Sequence, residues 1–371
     1  MTASSIPAKQ TAAVLRGAYG ERHVVDKQYP VSHPGLGDAL IQMEAAGICH
    51  GDVNPRDGYP PAPSEPVRPL VTGHEGIGHI IALGEADSEF KVGDRVGMGW
   101  RRSTCHSCEP CRKGEENLCQ KQIINGYAKD GTFQGRRAAH HPASMTTSPL
   151  KHSCKEYLTI PTSDLVHIPT SSAQAFELAP LLCAGGTALG GVRSAGVLAG
   201  DWMCITGAAG GVGSLAVQYA KHLGYKVVAI DSKKKEEYCK SIGADRFIDF
   251  EDTDTVVKRI TDATDGGVQG TVVCSANPAS YSQAVEYSGV GATIVSIGPS
   301  MIHLHTGHLM MKGLKLVAQS NGTKKDIEDA IALAKKGIVP QVQIVPLESL
   351  DEALDRLKLG QVVGRQAVVF R

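Results

Sequence analysis

Four cysteines, Cys105, Cys108, Cys111 and Cys119, fall in one short polar segment with two, two and seven residues between them. Thiolates at such spacing can close a tetrahedron around zinc. All four positions are then filled by the chain itself, so the ion is expected to be structural. An iron–sulfur cluster is the competing reading. The surrounding lobe, about 100–120, is rich in charged and polar residues and holds little apolar material for a core. Two further stretches carry ligand-type residues. Cys49-His50-Gly51-Asp52 sets two potential ligands beside a carboxylate, and Gly73-His74-Glu75-Gly76 places an imidazole and a carboxylate in a turn ahead of 77–83. Alone, neither is specific, because a single histidine is as readily a satisfied polar side chain. Cys183, in an apolar and small-residue run, reads equally as a core thiol.

A different chemistry is written at 202–231. Met203, Cys204 and Ile205 form a short apolar run entering Gly207-Ala208-Ala209-Gly210-Gly211-Val212-Gly213, after which Leu215, Val217, Tyr219, Ala220 and Leu223 recur at helical spacing and Gly224 ends the helix. Gly210 and Gly213 stand where a backbone must approach a pyrophosphate and a helix must pack close to its strand, while the helix N-terminus offers N–H groups and positive dipole. Ala208 occupies the first glycine position of that fingerprint. The run 226–230 is the second strand, and Asp231, eighteen residues after Gly213, ends it where a carboxylate can bind an adenosine ribose. That favours NAD over NADP. Lys233, Lys234 and Lys235 could meet a 2′-phosphate, or they are the solvated start of the next helix.

These residues need scaffolds of two kinds. Across 11–46, short β-like runs alternate with Gly and Pro turns, and the β pattern resumes at 156–160 and 165–168, which predicts a compact β-rich unit. After the cradle, helical patterns at 233–242, 255–261 and 279–287 alternate with strand patterns at 246–248, 271–274 and 292–297, which predicts a parallel sheet covered by helices. A helix at 324–336, a strand at 342–345, a helix at 350–359 and a strand at 366–370 follow and are returned to the first unit. The segment 135–155 is basic, lacks periodicity and reads as a loop insertion. Its His140 and His141 have no acidic or thiol partner patterned nearby.

The chain of 371 residues has 38 acidic and 38 basic side chains, so no net field draws it to nucleic acid or a membrane surface, and small-molecule substrates are the expectation. No apolar run has membrane-spanning length, and the first ten residues lack a signal-peptide core. A cytoplasmic location is expected, with ten cysteines serving as ligands or buried thiols.

Together, Cys49-His50-x-Asp52, Gly73-His74-Glu75-Gly76, the four-cysteine lobe, Leu182-Cys183-Ala184-Gly185 and 207–220 resemble the zinc-containing medium-chain alcohol dehydrogenases, most closely the tetrameric yeast-type branch. The resemblance implies an α/β fold, a doubly wound Rossmann domain inserted in a β-rich GroES-like catalytic domain, with boundaries at 1–184, 185–318 and 319–371. It implies a catalytic zinc on Cys49, His74 and Cys183 with an open fourth position, Glu75 beside the metal, and Asp52 orienting the imidazole. Two zincs per chain follow. His50 and Arg365 correspond to pyrophosphate contacts, Thr187 packs by the nicotinamide, and Gly207, Gly210, Gly211, Val212, Gly213, Asp231 and Lys233 complete the cofactor set. Tyr59 and Trp100 correspond to the substrate pocket. The implied activity is hydride transfer between a nicotinamide cofactor and an alcohol or carbonyl compound, in a homo-oligomer, tetramer or dimer. Two positions depart from the family: its hydroxyl residue after Cys-His is Gly51 here, and a histidine further along the proton relay is Asn54. Carbonyl reduction is therefore the expected main direction. The alternatives are a zinc- and nucleotide-binding protein that has lost catalysis, or a zinc-independent enoyl or quinone reductase of the same fold.

Overall fold

The structure, a computed structural model, describes residues 6–58, 65–86, 88–134, 157–169, 173–253 and 255–370. The expected insertion at 135–155, with His140 and His141, and the candidate pocket residue Tyr59 lie outside the described residues. The chain divides into two compact units, one of Met1–Leu182, Val342–Gln361 and Arg365–Arg371, the other of Cys183–Gln341 and Val362–Gly364.

The first unit is organised around the strand Asp38–Ile48, which pairs antiparallel with Gly76–Leu83, Tyr157–Pro161 and Arg365–Val369. It belongs to a seven-stranded sheet, and a smaller sheet orders Val24–Pro30, Lys9–Leu15 and Leu70–Val71. Ala12, Val14, Ile41, Met43, Met98, Phe133 and Leu158 form a continuous core with Leu350, Ala353 and Leu354 of the helix Leu350–Lys358. The burial of these side chains fixes the register, since a slip of one residue would turn the apolar set of each strand outward. The register pairs Ile48 with Gln366, so the residues that follow Ile48 lie near the start of the last strand.

The second unit carries one six-stranded parallel sheet in the order Arg246–Asp249, Lys226–Asp231, Trp202–Thr206, Val268–Val273, Ser288–Ser296, Lys315–Ala318. Numbered along the chain, this is the 3-2-1-4-5-6 order of the doubly wound dinucleotide fold. Val227, Val228, Ala229 and Ile230 are all buried, as are Met203, Cys204 and Ile205. A strand covered on both faces reads as such an apolar run rather than as an alternation.

The helix Lys324–Ala334 differs from its sequence assignment, because it lies in the second unit against Ala184–Ser194. A Cβ on Gly186 would stand 2.7 Å from Ile327 Cγ1, and one on Gly190 would stand 3.3 Å from Asp326 Oδ2. Glycines on one helix thus admit the other, a tertiary fit that the linear order of elements does not announce. Among the described residues no single helix is long and apolar enough to cross a membrane.

Candidate functional site

In the lobe, Cys108 caps the one-turn helix Glu109–Arg112 and Cys119 follows the turn Glu116–Leu118. All four donor sulfurs lie within 4.8 Å of one another. Sγ of Cys105 is 3.6 Å from that of Cys119 and 4.0 Å from that of Cys111. Four thiolates at about 2.3 Å from a zinc would stand about 3.8 Å apart, so these residues fit the ion. Backbone N–H groups of Ser107 and Cys108 hold the Cys105 thiol down to about 5, and the Cys108 N–H lies 3.3 Å from its sulfur. The backbone therefore favours at Cys105 the thiolate that metal binding requires, while burial and the neighbouring thiols push Cys111 up to about 12 as long as no cation is there.

The second group is assembled from distant segments. Where the central strand ends at Ile48, Cys49 opens the turn His50–Asp52, and its backbone N–H donates to Asp52 Oδ2 at 2.9 Å. Asp52 Oδ1 lies 2.8 Å from His74 Nδ1, and both side chains are buried. His74 reaches this position because Gly73 turns the chain at φ +100°, with Thr132 Oγ1 only 2.4 Å from where a Cβ would stand. Glu75 pairs through both carboxylate oxygens with Nη2 of Arg365, and its backbone carbonyl accepts from Gly47 N–H at 2.8 Å. Cys183 is bonded directly to Leu182 at the end of the buried turn Ala179–Leu182. One ligand atom from each of Cys49, His74, Glu75 and Cys183 lies within 4.8 Å of the others, and all four residues are buried.

The donor set fits a metal on an observation independent of any motif. Nδ1 of His74 is committed to Asp52, while Nε2 is buried without a hydrogen bond. Such an orphan is costly unless something binds it. Burial works against a charged imidazole, but Asp52 and Cys49 outweigh it and raise the His74 pKa well above its ordinary value. Burial also pushes Glu75 up to about 8, against the pull of Arg365. The edge of His74 meets Trp100, with ring centroids 4.8 Å apart at 87°. Gly51 lies beside both rings, and a Cβ there would stand 2.9 Å from His74 Cε1 and 3.0 Å from Trp100 Cζ3. His50 is exposed.

The cradle of the second unit forms as its glycines require. Gly207 has φ +62°, and a Cβ on Gly213 would come within 2.1 Å of the Gly207 carbonyl oxygen, so only glycine lets the helix Gly213–His222 start so close to the strand. A Cβ on Gly210 would press on the same oxygen at 3.2 Å. Gly211 and Val212 complete the turn, Val212 as the residue before the helix. Asp231 is buried at the strand end, and its bonds are internal: Oδ2 accepts from Ala209 N–H and Oδ1 from Ser232 N–H, each at 2.9 Å. Lys235 Nζ lies 3.4 Å from Oδ1, whereas Lys233 pairs with Glu236. Thr187 is buried and donates to the Cys183 carbonyl at 2.8 Å.

Sequence reasoning missed an array that joins the segments carrying the second group. In the first unit Thr72, His23, Asp351 and Arg56 are bonded in that order, yet His23 and Asp351 are 328 residues apart and belong to no motif. The only signal was the polar character of His23 and Asp351 beside apolar periodicity.

Comparison with known proteins bears on the whole chain. The family model for the alcohol dehydrogenase GroES-like domain matches residues 35–170, and that for zinc-binding dehydrogenase matches residues 211–336. An alcohol dehydrogenase of Schizosaccharomyces pombe is 35% identical over 366 residues, covering 97% of this chain and 98% of that one. Among solved structures, AibC is 28% identical with a TM-score of 0.85, over 100% of this chain and 98% of that one. An NAD-dependent alcohol dehydrogenase is 25% identical with a TM-score of 0.84, over 97% and 100%. With fold, donor groups and relatives in agreement, the chain belongs to the zinc-binding medium-chain alcohol dehydrogenases, NAD(P)-dependent oxidoreductases that act on small alcohols or their carbonyl counterparts.

Proposed function

We propose that Cys49, His74 and Cys183 hold a catalytic zinc with Glu75 beside it, that the four-cysteine lobe holds a second, structural zinc, and that the protein works mainly as an NAD-preferring carbonyl reductase. The observation that carries this reading is the buried His74 Nε2, left without a hydrogen bond in the midst of two thiols and a carboxylate while Asp52 fixes Nδ1. Bound there, zinc would supply a Lewis acid that polarises the substrate oxygen, and the nicotinamide would supply or accept the hydride.

The chain's own residues do the rest. Asp52 keeps the His74 proton on Nδ1 and the ring in one orientation, which raises the basicity of the other nitrogen. Arg365 Nη2 lies on both oxygens of Glu75, so this buried acid, pushed up to about 8 by burial, has a cationic partner when it ionises beside the donors. Trp100 covers one side of His74 and restricts what can lie next to it. Gly51 offers no hydroxyl to carry the substrate's proton away. Oxidation must shed that proton and then depends on hydroxide, whereas reduction takes one from water, and this supports reduction as the main direction.

NAD preference rests on the Asp231 carboxylate at the strand end, with Gly207, Gly210, Gly211, Val212 and Gly213 for the pyrophosphate. His50 and Arg365 are proposed as further phosphate contacts and Thr187 as a nicotinamide neighbour, with Lys233 at the rim. A homo-oligomer is supported by the open edge strand Lys315–Ala318 and the exposed Leu316, Met301, Met310 and Met311 near it in sequence. Met310→Glu with Met311→Glu should lower the solution mass, and an unchanged mass would remove that support. A reducing, cytoplasmic location suits six thiols meant for metal, and detection of the protein only in a secreted fraction would count against it.

The direct test is turnover with NADH across a panel of aldehydes and ketones, alongside metal analysis. Turnover with about two zincs per chain is expected. Fully zinc-loaded protein that reduces nothing would make it a lapsed, nucleotide-binding relative. Full activity after removal of the open-site zinc would instead favour a metal-free reductase.

A further inference from the structure

The two segments that supply ligands in the first unit, 49–52 and 74–75, are tied to a single carboxylate on the helix Leu350–Lys358. Asp351 Oδ1 lies 2.8 Å from His23 Nδ1, and its Oδ2 accepts the His23 backbone N–H at 2.8 Å. Nε2 of the same ring lies 2.8 Å from Thr72 Oγ1. A carboxylate only accepts, so Nδ1 of His23 donates to Asp351, while Nε2 and the Thr72 hydroxyl share the second bond. Thr72 stands two residues before His74. On the other side, Arg56 Nη1 donates to Asp351 Oδ1 at 3.3 Å and to its backbone carbonyl at 3.2 Å. Arg56 lies in the helix Val53–Asp57, which begins directly after Asp52. Its remaining groups are held by Asp57, at 2.7 Å from Nε, and Asp355, at 2.8 Å from Nη2.

The connectivity Thr72–His23–Asp351 is that of a hydroxyl, a base and an orienting acid. It is no hydrolytic site, because Thr72 is fully buried and no acyl donor can reach its oxygen. Burial gives the array a different use. The His23, Asp351 and Arg56 side chains are 2%, 9% and 4% exposed, so breaking a bond among them strands a polar group largely out of water. Burial alone would raise the Asp351 carboxyl, yet His23 and Arg56 reverse this and hold it below the ordinary value, so it stays ionised as the common acceptor.

We propose that Asp351 is a positioning residue: acting through His23 and Thr72 on one side and Arg56 on the other, it sets the spacing between Cys49 and His74 and so the geometry of the metal they hold. This rests on the metal site assigned above. The test is cobalt substitution of the open site, with two readouts besides turnover: the thiolate-to-cobalt absorption spectrum and the rate of metal release to a chelator. Thr72→Val keeps the side chain's shape and removes only the hydroxyl, and His23→Gln breaks the relay at its centre. Each is expected to alter the cobalt spectrum and to speed release by about tenfold, the lower end of what outer partners of a ligand contribute, and Thr72→Ser is expected to restore both. Variants with a lower melting temperature but a wild-type spectrum and release rate would show a merely structural array and overturn the proposal. If Thr72→Val should not fold, the same readouts on Arg56→Lys, which keeps the charge and loses the fork, decide it in the same way. Failure of the underlying reading looks different, since wild-type protein itself would then take up no cobalt at Cys49 and His74.

Discussion

The two groups of four donors in this chain are built by opposite means. In the lobe every candidate ligand comes from one segment, Cys105 to Cys119, and backbone N–H groups, that of Cys108 on Cys105 Sγ and that of Cys105 on Cys119 Sγ, are what hold the sulfurs. In the other group the ligands come from residues as far apart as 49 and 183, all are buried, and the imidazole is oriented by a separate carboxylate that is itself bonded to the Cys49 backbone. A closed, local site asks only that the chain bend once around the ion. An open site, as proposed for the second group, would have to hold its geometry with one position left free, and its donors are accordingly fixed from outside: Asp52 on His74 and Arg365 on Glu75. On the proposed reading, metal in the first case would substitute for a missing core, and in the second the core would serve to hold the metal.

That contrast is broken most sharply by exchanging one ligand in each group. Cys49→Ser is expected to lower turnover by at least ~10³-fold, about 4 kcal/mol of barrier, in a protein that melts close to wild type and still binds NAD. Cys108→Ser is expected to lower the melting temperature by at least roughly 5 °C, because loss of a structural ion removes folding free energy, with residual activity in proportion to the folded fraction. Calorimetry and steady-state rates on both variants check this. If the Cys49 variant were the less stable, or the Cys108 variant folded normally without its zinc, the division of labour between the groups would fall.

The same contrast explains what could be read from the sequence. Cys105 to Cys119 announced themselves because spacing along a chain is also spacing in space when the segment is short. The alternation of apolar runs and helical patterns after Asp231 gave a parallel sheet for a similar reason, since each strand and helix is a local object. Cys49, His74 and Cys183 carried no such signal singly and came only through resemblance. Their second layer was invisible: nothing in Gly-Glu-Arg-His at 20–23 points to Asp351, and nothing in the cradle motif shows that Asp231 ties down Ala209. Those bonds exist only once the sheets have brought distant segments together. The spacing at 324–336 predicts the helix Lys324–Ala334, but the unit that helix joins depends on which glycines it packs against.

Gly51 tests whether the open site is limited by proton transfer or by space. A threonine there would offer a hydroxyl to take the alcohol's proton, and such relays contribute about 10²–10⁴-fold. The structure sets a condition that the residue type alone does not, because its Cβ would press on His74 Cε1 at 2.9 Å and Trp100 Cζ3 at 3.0 Å. Gly51→Thr alone should therefore gain little and loosen the metal. Combined with Trp100→Leu, it is expected to raise ethanol oxidation near neutral pH by about tenfold, or about 1.4 kcal/mol, with a flatter dependence on hydroxide. Wild type that already matches the double variant in rate and pH profile would show that the proton leaves by another route.

The smallest expected effect concerns the second unit, where the carboxylate thought to select the cofactor is also part of the scaffold. Asp231 would repel a 2′-phosphate, but its two oxygens already accept from Ala209 and Ser232, and Lys235 partly offsets its charge. Removing the side chain thus does two things at once. Asp231→Ser should raise the ratio of NADP to NAD efficiency several-fold while weakening both, since the Ala209 N–H loses a charged acceptor worth about 1.5–3 kcal/mol and the turn that receives the pyrophosphate is less well held. Asp231→Asn separates the two roles: it keeps an oxygen for Ala209 and discards the charge, so it should shift preference with little loss of NAD affinity. Measuring kcat/KM and Kd for both cofactors on the pair decides the matter. If serine and asparagine behaved alike, the internal bond would be irrelevant to binding; and if wild type used NAD and NADP equally, Lys235 would already have cancelled the discrimination that the carboxylate was assigned.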